Sequence, residues 1–308
     1  MKRLLIIDGN AIVHRAYHAL PPLTDKQGQP VNAVYGFFSM LLKVLDDVKP
    51  DYIIVCFDRP KPTFRKALFA GYQANRPKMA EDLSGQITTL HTALEKNNIT
   101  IFERDGYEAD DLIGTLAYQA VQHEHIEVKI VTGDRDLLQL VNHKVHILFP
   151  ILGITKMTEY DEKAVEEKFG VTPKQFIDYK ALIGDVSDGY PGVGGIGPKT
   201  AVGLLKKFDT FENIYQHLAE ISPRVAEKLA KDTQQAALAK QLATILIDVP
   251  ITLHMETCAV AHLEKETMAD VFTDLSFESL RKRLESIQTI MSKKEKEKAK
   301  LGSQMSLL

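Results

Sequence analysis

Long hydrophobic runs are missing from this chain of 308 residues, although 44% of its residues are hydrophobic. No run approaches the roughly 20 apolar residues that a membrane span requires. The N-terminus also lacks the pattern of a signal peptide. We therefore expect a cytoplasmic protein without a membrane partner, and the length predicts about two domains with buried cores.

Cysteine is scarce as well, and the chain has no net positive charge. The two cysteines, Cys56 and Cys258, lie far apart, and the ten histidines are scattered without the spacing of metal ligands. This composition excludes a disulfide framework and argues against a zinc site. The formal net charge is -3. Any affinity for nucleic acid must consequently come from local basic patches.

Three short apolar runs are each followed closely by acidic residues, and helical patterns lie between the runs. The runs are residues 3–7, 52–57 and 128–131, and the acids that follow them are Asp8, Asp58, Asp134 and Asp136. Continuous apolar runs of this length are typical of buried parallel strands. The alternation of strand and helix predicts an α/β layer with a parallel sheet and right-handed crossovers.

A fourth group of acids begins a helical pattern. Glu108, Asp110 and Asp111 lie in the first turn of an amphipathic helix whose apolar residues start at Leu112. Taken alone, such acids could cap the helix and complement its dipole. Ligands of parallel sheets bind beyond the carboxyl ends of the strands, however, where the other aspartates fall. Clustered carboxylates need a positive partner, and all-carboxylate ligation selects a hard divalent ion such as Mg²⁺ or Mn²⁺.

Basic and aromatic residues are interleaved between Asp58 and Glu81, a stretch without any acidic residue. The basic residues are Arg59, Lys61, Arg65, Lys66, Arg76 and Lys78, and the aromatic residues are Phe64, Phe69 and Tyr72. One interpretation is a solvated loop or helix face. Beside a metal cluster, this composition instead favours phosphate contact and base stacking on a single strand.

From residue 158 onward the pattern changes to helices joined by short turns, and one glycine-rich stretch stands out. Residues 184–201 combine Asp185 and Asp188 with Gly192, Gly194, Gly197, Lys199 and Thr200. The glycines permit a tight turn, and free amides at the next helix start can hold a phosphate. This composition is typical of a helix-hairpin-helix, which binds the nucleic-acid backbone without sequence preference.

Together these ordered motifs resemble the 5′-nuclease (flap endonuclease) family, in the version found as the N-terminal 5′→3′ exonuclease domain of bacterial DNA polymerase I. The matching motifs are residues 7–10, 34–37, 57–58, 64–65, 108–111, 132–136 and 184–201. The resemblance implies a PIN-like or resolvase-like α/β nuclease domain over residues 1–170, with a helical arch at about 60–85. It also implies an all-α helix–three-turn–helix domain over 171–290, followed by a Lys-rich tail, 291–308.

The resemblance further implies two or more Mg²⁺ ions, with Mn²⁺ as the alternative, and a set of residue roles. The implied metal ligands are Asp8, Asp58, Glu108 and Asp110 for one ion, and Asp111, Asp134, Asp136, Asp185 and Asp188 for the other. Arg65, Lys66 and Asp110 are expected to be catalytic. Arg65, Tyr72 and Arg76 are expected to handle the 5′ strand, and the glycine-rich stretch to grip duplex DNA.

Two departures from the family pattern stand out. Gln73 occupies the position of a usual lysine after the arch tyrosine, which removes a charge near the scissile phosphate. Gly189 and Tyr190 stand where relatives usually have Asn-Ile. The chain also ends without a proofreading or polymerase domain, so we expect a free-standing, monomeric nuclease with a separate DNA polymerase, acting in replication or repair at the bacterial nucleoid.

The C-terminal residues 304–308, Gln-Met-Ser-Leu-Leu, resemble the short peptide that docks bacterial replication proteins on the sliding clamp. An ordinary chain end is the alternative interpretation. For the whole chain two rival functions stay open at this point. One is a PIN-type ribonuclease, whose domains are usually shorter and lack the glycine-rich motif. The other is a non-catalytic or weakly active DNA-structure-binding protein, which would be expected to lack cluster acids.

Overall fold

A six-stranded sheet forms the N-terminal part of the computed structural model, which describes residues 1–77, 79–153, 156–288 and 290. The strands are β1 (Lys2–Asp8), β2 (Tyr52–Cys56), β3 (Thr100–Phe102), β4 (Ile126–Val131), β5 (Val145–Leu152) and β6 (Lys156–Tyr160). Their order is β3-β2-β1-β4-β5-β6, with the first five parallel and β6 antiparallel to β5. The predicted parallel α/β layer is therefore confirmed.

Six helices accompany this sheet. They are α1 (Gly9–Ala19), α2 (Asn32–Val48), α3 (Phe64–Leu68), α4 (Glu81–Lys96), α5 (Ala109–Val121) and α6 (Glu162–Phe169). Side chains of β1 alternate between two cores, because successive residues of a strand point to opposite faces. Leu4 and Ile6 pack with α5 on one face, and Leu5 and Ile7 pack with α1 and α2 on the other.

The remaining chain is helical, as predicted. Its helices are α7 (Phe176–Ile183), α8 (Pro198–Phe208), α9 (Phe211–Gln216), α10 (Pro223–Lys231), α11 (Thr233–Ala243), α12 (Lys265–Asp274) and α13 (Glu278–Leu284). A two-stranded ribbon of β7 (Gly184–Asp185) and β8 (Tyr190–Pro191) lies between α7 and α8. Both α12 and α13 return to the sheet and share a core with α2, a return that the sequence pattern did not predict.

The segment predicted to form a helical arch, about 60–85, contains little helix. It holds the five residues of α3, followed by turns up to residue 75, before α4 begins at Glu81. Gly71 and the left-handed backbone of Gln73 (φ 49°) lie in these turns, and neither favours continuation of a helix. No helix among the described residues is long and apolar enough to cross a bilayer.

Candidate metal and nucleic-acid site

The carboxyl ends of the central parallel strands bring four acids together. Asp8 ends β1, Asp58 follows β2, Asp134 follows β4, and Asp110 lies in the first turn of α5. Burial, together with the charges of Asp134, Asp8 and Asp58, raises the pKa of Asp110 well above its ordinary value. We call Asp8, Asp58, Asp110 and Asp134 the sheet-edge group. Its members lie close enough to disfavour one another's charge.

Asp8 is oriented by two hydrogen bonds. Its Oδ1 accepts from the amide of Ala11 at 3.0 Å, which caps α1, and its Oδ2 accepts from Thr132 Oγ1 at 2.7 Å. Burial nevertheless raises the pKa of Asp8 to about 7, and the charges of Asp58 and Asp134 add to the shift. Thr132, the first residue of the 132–136 motif, is thus part of the site.

Asp58 and Glu108 connect the sheet to the start of α5. Asp58 Oδ1 accepts from the amide of Ala109 at 2.7 Å, and Asp58 donates its own amide to Asn10 Oδ1 at 2.8 Å. Glu108 precedes α5, and its carboxylate accepts from Thr63 Oγ1 at 3.0 Å. Burial raises the pKa of Glu108 to about 7. The helix start therefore presents its acids to the sheet edge.

A second group of acids lies beside the first. Ligand oxygens of Asp136, Asp185 and Asp188 all lie within 4.8 Å of one another, and we call these residues the acid trio. Lys180 of α7 donates to Asp185 and forms an ion pair with Asp136 at 2.6 Å. Burial raises the pKa of Asp136 to about 7 against the influence of Lys180. Lys180 was not among the predicted site residues, although its position five residues before Asp185 was an available signal.

The two groups fit divalent metal. They supply carboxylate oxygens alone, which are the ligands that Mg²⁺ and Mn²⁺ prefer. Burial raises the pKa of Asp8 and of Asp110, and neither forms an ion pair with a described residue, whereas Glu108 Oε2 lies 3.3 Å from Arg65 Nη1. A bound cation would reverse these shifts, because an opposite charge within a few ångströms favours the ionised form.

Asp111 lies outside this arrangement, and its placement argues against the predicted role of metal ligand. The residue has no exposed surface. Both of its oxygens accept from Arg65, at 2.7 and 2.8 Å, and they also accept from the amides of Glu108 and Leu246. Since its lone pairs are taken up within the protein, Asp111 joins the start of α5 to the chain after α11.

Arg65 is also placed differently from its predicted position at the DNA, because it is buried and paired with Asp111. It is 2% exposed, and its Nε and Nη2 donate to the carbonyls of Leu242 and Thr244 at 2.9 and 2.8 Å. With the Asp111 bonds, its donors are committed inside the protein. The predicted catalytic and strand-handling roles of Arg65 are therefore not supported. Its contacts instead make it a structural bridge between the two parts of the chain.

The remaining predicted residues of this stretch border the cluster, but Tyr72 is only 3% exposed, so its predicted contact with the 5′ strand is not supported either. Tyr72 Oη donates to Glu108 Oε2 at 3.0 Å and to Asp188 Oδ2 at 3.3 Å. Lys66 is exposed, with its Nζ 2.6 Å from the carbonyl of Tyr72. Arg76 is exposed and donates to Gln73 Oε1 at 3.2 Å. This edge of the cluster therefore carries cationic groups that remain accessible to a phosphate.

The glycine-rich stretch is divided between two roles. Gly192 is buried, and a Cβ added there would lie 2.3 Å from the amide of Gly184, so it allows close packing of the ribbon. The amide of Gly194 is already bonded to Asp232 Oδ2 at 2.7 Å. Gly197 and Lys199 are exposed at the start of α8, and no side chain caps that helix. Free amides and Lys199 therefore remain for an anion, with Thr200 beside them.

A carboxylate-edged parallel sheet joined to a helical unit with an open helix start defines a metal-dependent nuclease. Comparison with protein families makes this more specific. Residues 3–170 match the model described as 5′-3′ exonuclease, N-terminal resolvase-like domain, and residues 171–266 match the 5′-3′ exonuclease, C-terminal SAM fold. The chain belongs to the 5′-3′ exonuclease family.

Among curated relatives, DNA polymerase I of Bacillus subtilis is 42% identical over 284 residues, and DNA polymerase I of Mycobacterium leprae is 38% identical over 283 residues. These matches cover 92% and 91% of this chain but only 32% and 31% of the relatives. The chain thus spans about a third of the length of the relatives it matches.

Solved structures share the fold. The T5 D15 protein co-crystallised with metal ions matches with a TM-score of 0.64 at 20% identity, covering 93% of this chain and 98% of that one. The catalytic core of Rad2 in complex with DNA substrate matches with a TM-score of 0.57 at 16% identity, covering 93% of this chain and 91% of that one. At these identities the likeness concerns the fold alone.

Proposed function

We propose that this chain is a structure-specific 5′→3′ DNA exonuclease and 5′-flap endonuclease that hydrolyses phosphodiester bonds with divalent metal. The observation that carries the proposal is the convergence of the sheet-edge group and the acid trio in a member of the 5′-3′ exonuclease family. Lys180 contacts two acids of the trio and neutralises part of its charge. The rest of the negative charge of the two groups needs another cation.

Two Mg²⁺ ions, or Mn²⁺ in their place, fit this arrangement best. Asp8, Asp58, Asp110 and Asp134, with Glu108 beside them, would hold one ion, and Asp136, Asp185 and Asp188 the other. Metal bound here supplies an activated water and neutralises the charge that develops on the phosphate. Asp111 is left out of this ligand set because its oxygens are occupied by Arg65 and two amides.

The chain's own residues would orient the site and the substrate. Thr132 and the amide of Ala11 fix the rotamer of Asp8 by donating to one oxygen each, and a carboxylate oxygen that accepts one hydrogen bond still has a lone pair for a metal. Lys66 and Arg76 lie at the cluster's edge, where they would position the 5′ strand and stabilise its charge. The start of α8, with Lys199, would hold the phosphate backbone of the duplex.

The proposed substrate is DNA with a 5′ flap or a free 5′ end. Because the relatives are DNA polymerases, the proposal includes work beside a separate DNA polymerase in replication or repair, at the bacterial nucleoid. Docking on a sliding clamp would use residues 304–308, which lie outside the described residues together with the Lys-rich tail. Fluorescence anisotropy of a peptide spanning residues 300–308 with a bacterial clamp tests this part, and absence of binding would remove it.

Cleavage of a 5′-flap DNA labelled at its 3′ end tests the main proposal. The reaction is run with Mg²⁺ and then with EDTA, and single-stranded RNA is run beside it. We expect metal-dependent cutting near the flap junction, with the RNA left intact. Tight binding without cutting would instead favour a DNA-structure-binding protein, and cutting of the RNA would favour a ribonuclease.

A further inference from the structure

Two segments that are distant in the sequence meet at the acid trio. Gln73 Nε2 donates to Asp188 Oδ1 at 2.9 Å, although 115 positions separate the two residues. The backbone amide of Gln73 also donates to the carbonyl of Asp188 at 2.7 Å. The turn after α3 is thereby bonded, through both main chain and side chain, to a candidate metal ligand.

The orientation of the Gln73 amide follows from its neighbours. Arg76 Nη1 lies 3.2 Å from Gln73 Oε1, and an arginine can only donate hydrogen bonds. The oxygen of the amide therefore faces Arg76 and its nitrogen faces Asp188. Because the nitrogen carries the donor hydrogens, the contact with Asp188 is a true hydrogen bond to a carboxylate, a stronger type than one between neutral groups.

The backbone on the other side of the contact is adapted to it. Gly189 has a φ of 74°, and a Cβ added there would lie 3.1 Å from the carbonyl oxygen of Gly71. A side chain at this position would require the Gly71 carbonyl to move by a few tenths of an ångström. The ring of Tyr190 lies nearly parallel to that of Tyr72, with centroids 6.4 Å apart and an interplanar angle of 14°. Gly189 and Tyr190 thus shape the surface against which residues 71–73 pack.

These contacts bring Gln73 and the pair Gly189 and Tyr190 together beside Asp188. A lysine ammonium at the Gln73 amide position would neutralise Asp188 and compete with a cation there. The neutral amide orients the carboxylate and leaves its full charge available.

We propose that Gln73, Gly189 and Tyr190 form a positioning unit that orients Asp188 for a divalent cation in the acid trio and ties the Tyr72 turn to that site. The inference rests on the proposed function, since it takes the trio to be a cation site. Gln73 is a positioning residue and need not contact the substrate.

A titration of the full chain with Mn²⁺, without DNA, tests this inference. Binding is measured from the electron paramagnetic resonance signal of the free ion. Gln73→Met keeps the side-chain length and removes the donor. We expect it to weaken Mn²⁺ binding at the trio by about tenfold, the lower end of the effect of removing a hydrogen-bond partner of a metal ligand. Gln73→Lys should weaken binding further, because it adds a competing charge. Gln122→Met, at the far end of α5, is the matched control and should bind as the wild type does.

The replacements should also depend on one another. When Gly189→Asn and Tyr190→Ile are added to Gln73→Lys, the change in Mn²⁺ affinity should differ from the product of the separate changes, because the effects of residues in direct contact are not additive. The Mg²⁺ concentration needed for half-maximal flap cleavage should rise with Gln73→Met by the same factor as the Mn²⁺ dissociation constant. The KM for DNA at saturating Mg²⁺ should stay unchanged, which a general loss of folding would not produce.

Asp188→Asn separates the two ways in which the idea can fail. If Asp188→Asn removes one Mn²⁺ site while Gln73→Met binds like the wild type, the positioning unit is refuted and the metal trio stands. If Asp188→Asn removes no site, the trio is not a cation site, and that part of the proposed function falls together with this inference.

Discussion

The sheet-edge group and the acid trio contain the same type of residue but solve the problem of crowded charge in different ways. The trio already holds Lys180 between two of its members and Gln73 on the third. The sheet-edge group relies on neutral donors such as Thr132 instead. Burial raises the pKa of Asp8 and that of Asp136 to about 7 alike, so the two groups differ in their protein partners. Carboxylates without a protein cation depend more strongly on metal to stabilise their ionised form. We therefore expect substitutions in the sheet-edge group to have larger effects than substitutions elsewhere.

The largest effect should follow from a change in the sheet-edge group. Asp110→Ala should lower flap cleavage by at least about a hundredfold, since losing a ligand should exceed the effect of losing a partner of a ligand. Binding of flap DNA should remain nearly intact, because the start of α8 is unchanged. Single-turnover cleavage and anisotropy in the same buffer check this. An equal loss of both would contradict the separation of catalysis from binding.

Loss of the buried ion pair between Arg65 and Asp111 should lower the stability of the fold. Arg65→Met leaves the fully buried Asp111 without its charge partner, which is expected to cost about 3–5 kcal/mol of unfolding free energy. Urea unfolding in EDTA measures the change. The control is Arg59→Met, whose partners Glu103 and Asp105 are solvent-accessible, with an expected loss below about 1 kcal/mol. Similar losses in both variants would refute the structural role of Arg65.

The raised pKa values predict how pH and metal act together. Asp8 and Asp136 bind protons up to a pKa of about 7 in the folded protein, against an ordinary value of 3.8. Between these values the native state holds more protons than the unfolded state, so metal-free stability should fall as pH rises through this window. Mg²⁺ should therefore raise the melting temperature more at pH 8 than at pH 5.5. Scanning calorimetry with Mg²⁺ or EDTA tests this, and an equal Mg²⁺ effect at both values would contradict it.

The smallest effect should come from the nucleic-acid contact far from the acids. Lys199→Ala should weaken duplex binding at all sequences and reduce the slope of log affinity against log salt by about one. Lys206→Ala, at the other end of α8, is the matched control and should leave the slope unchanged. Anisotropy titrations at several salt concentrations decide between them. Identical slopes for both variants would place the backbone contact elsewhere.

Much of the fold could be predicted from local pattern. The apolar runs that became β1, β2 and β4 are continuous because their residues are buried on both faces of the sheet. The acids follow these runs directly, so any parallel arrangement brings them to one edge. The helical patterns predicted between these runs include those that form α2 and α4. Here residues near one another in sequence determine the outcome.

The roles of Arg65, Asp111 and Gly192 depended on the tertiary structure. In sequence, Arg65 is one cation in a basic stretch and Asp111 one acid in an acidic one. Their burial follows from the chain after α11, which brings the carbonyls of Leu242 and Thr244 to the guanidinium. Burial turns an exposed charge into a structural partner, because an ion removed from water must be paired.

By itself, the sequence determined the strands β1, β2 and β4, the acids that follow them and the class of chemistry, since these depend on residue type and short-range periodicity. Only the tertiary structure decided which acids remain free for metal, because that depends on donors contributed by distant segments. Lys180, Thr132 and Gln73 reach the acids from three different parts of the chain. The meeting of Gln73 with Gly189 arises in the same way, from the packing of a turn of the sheet domain against the ribbon that precedes α8.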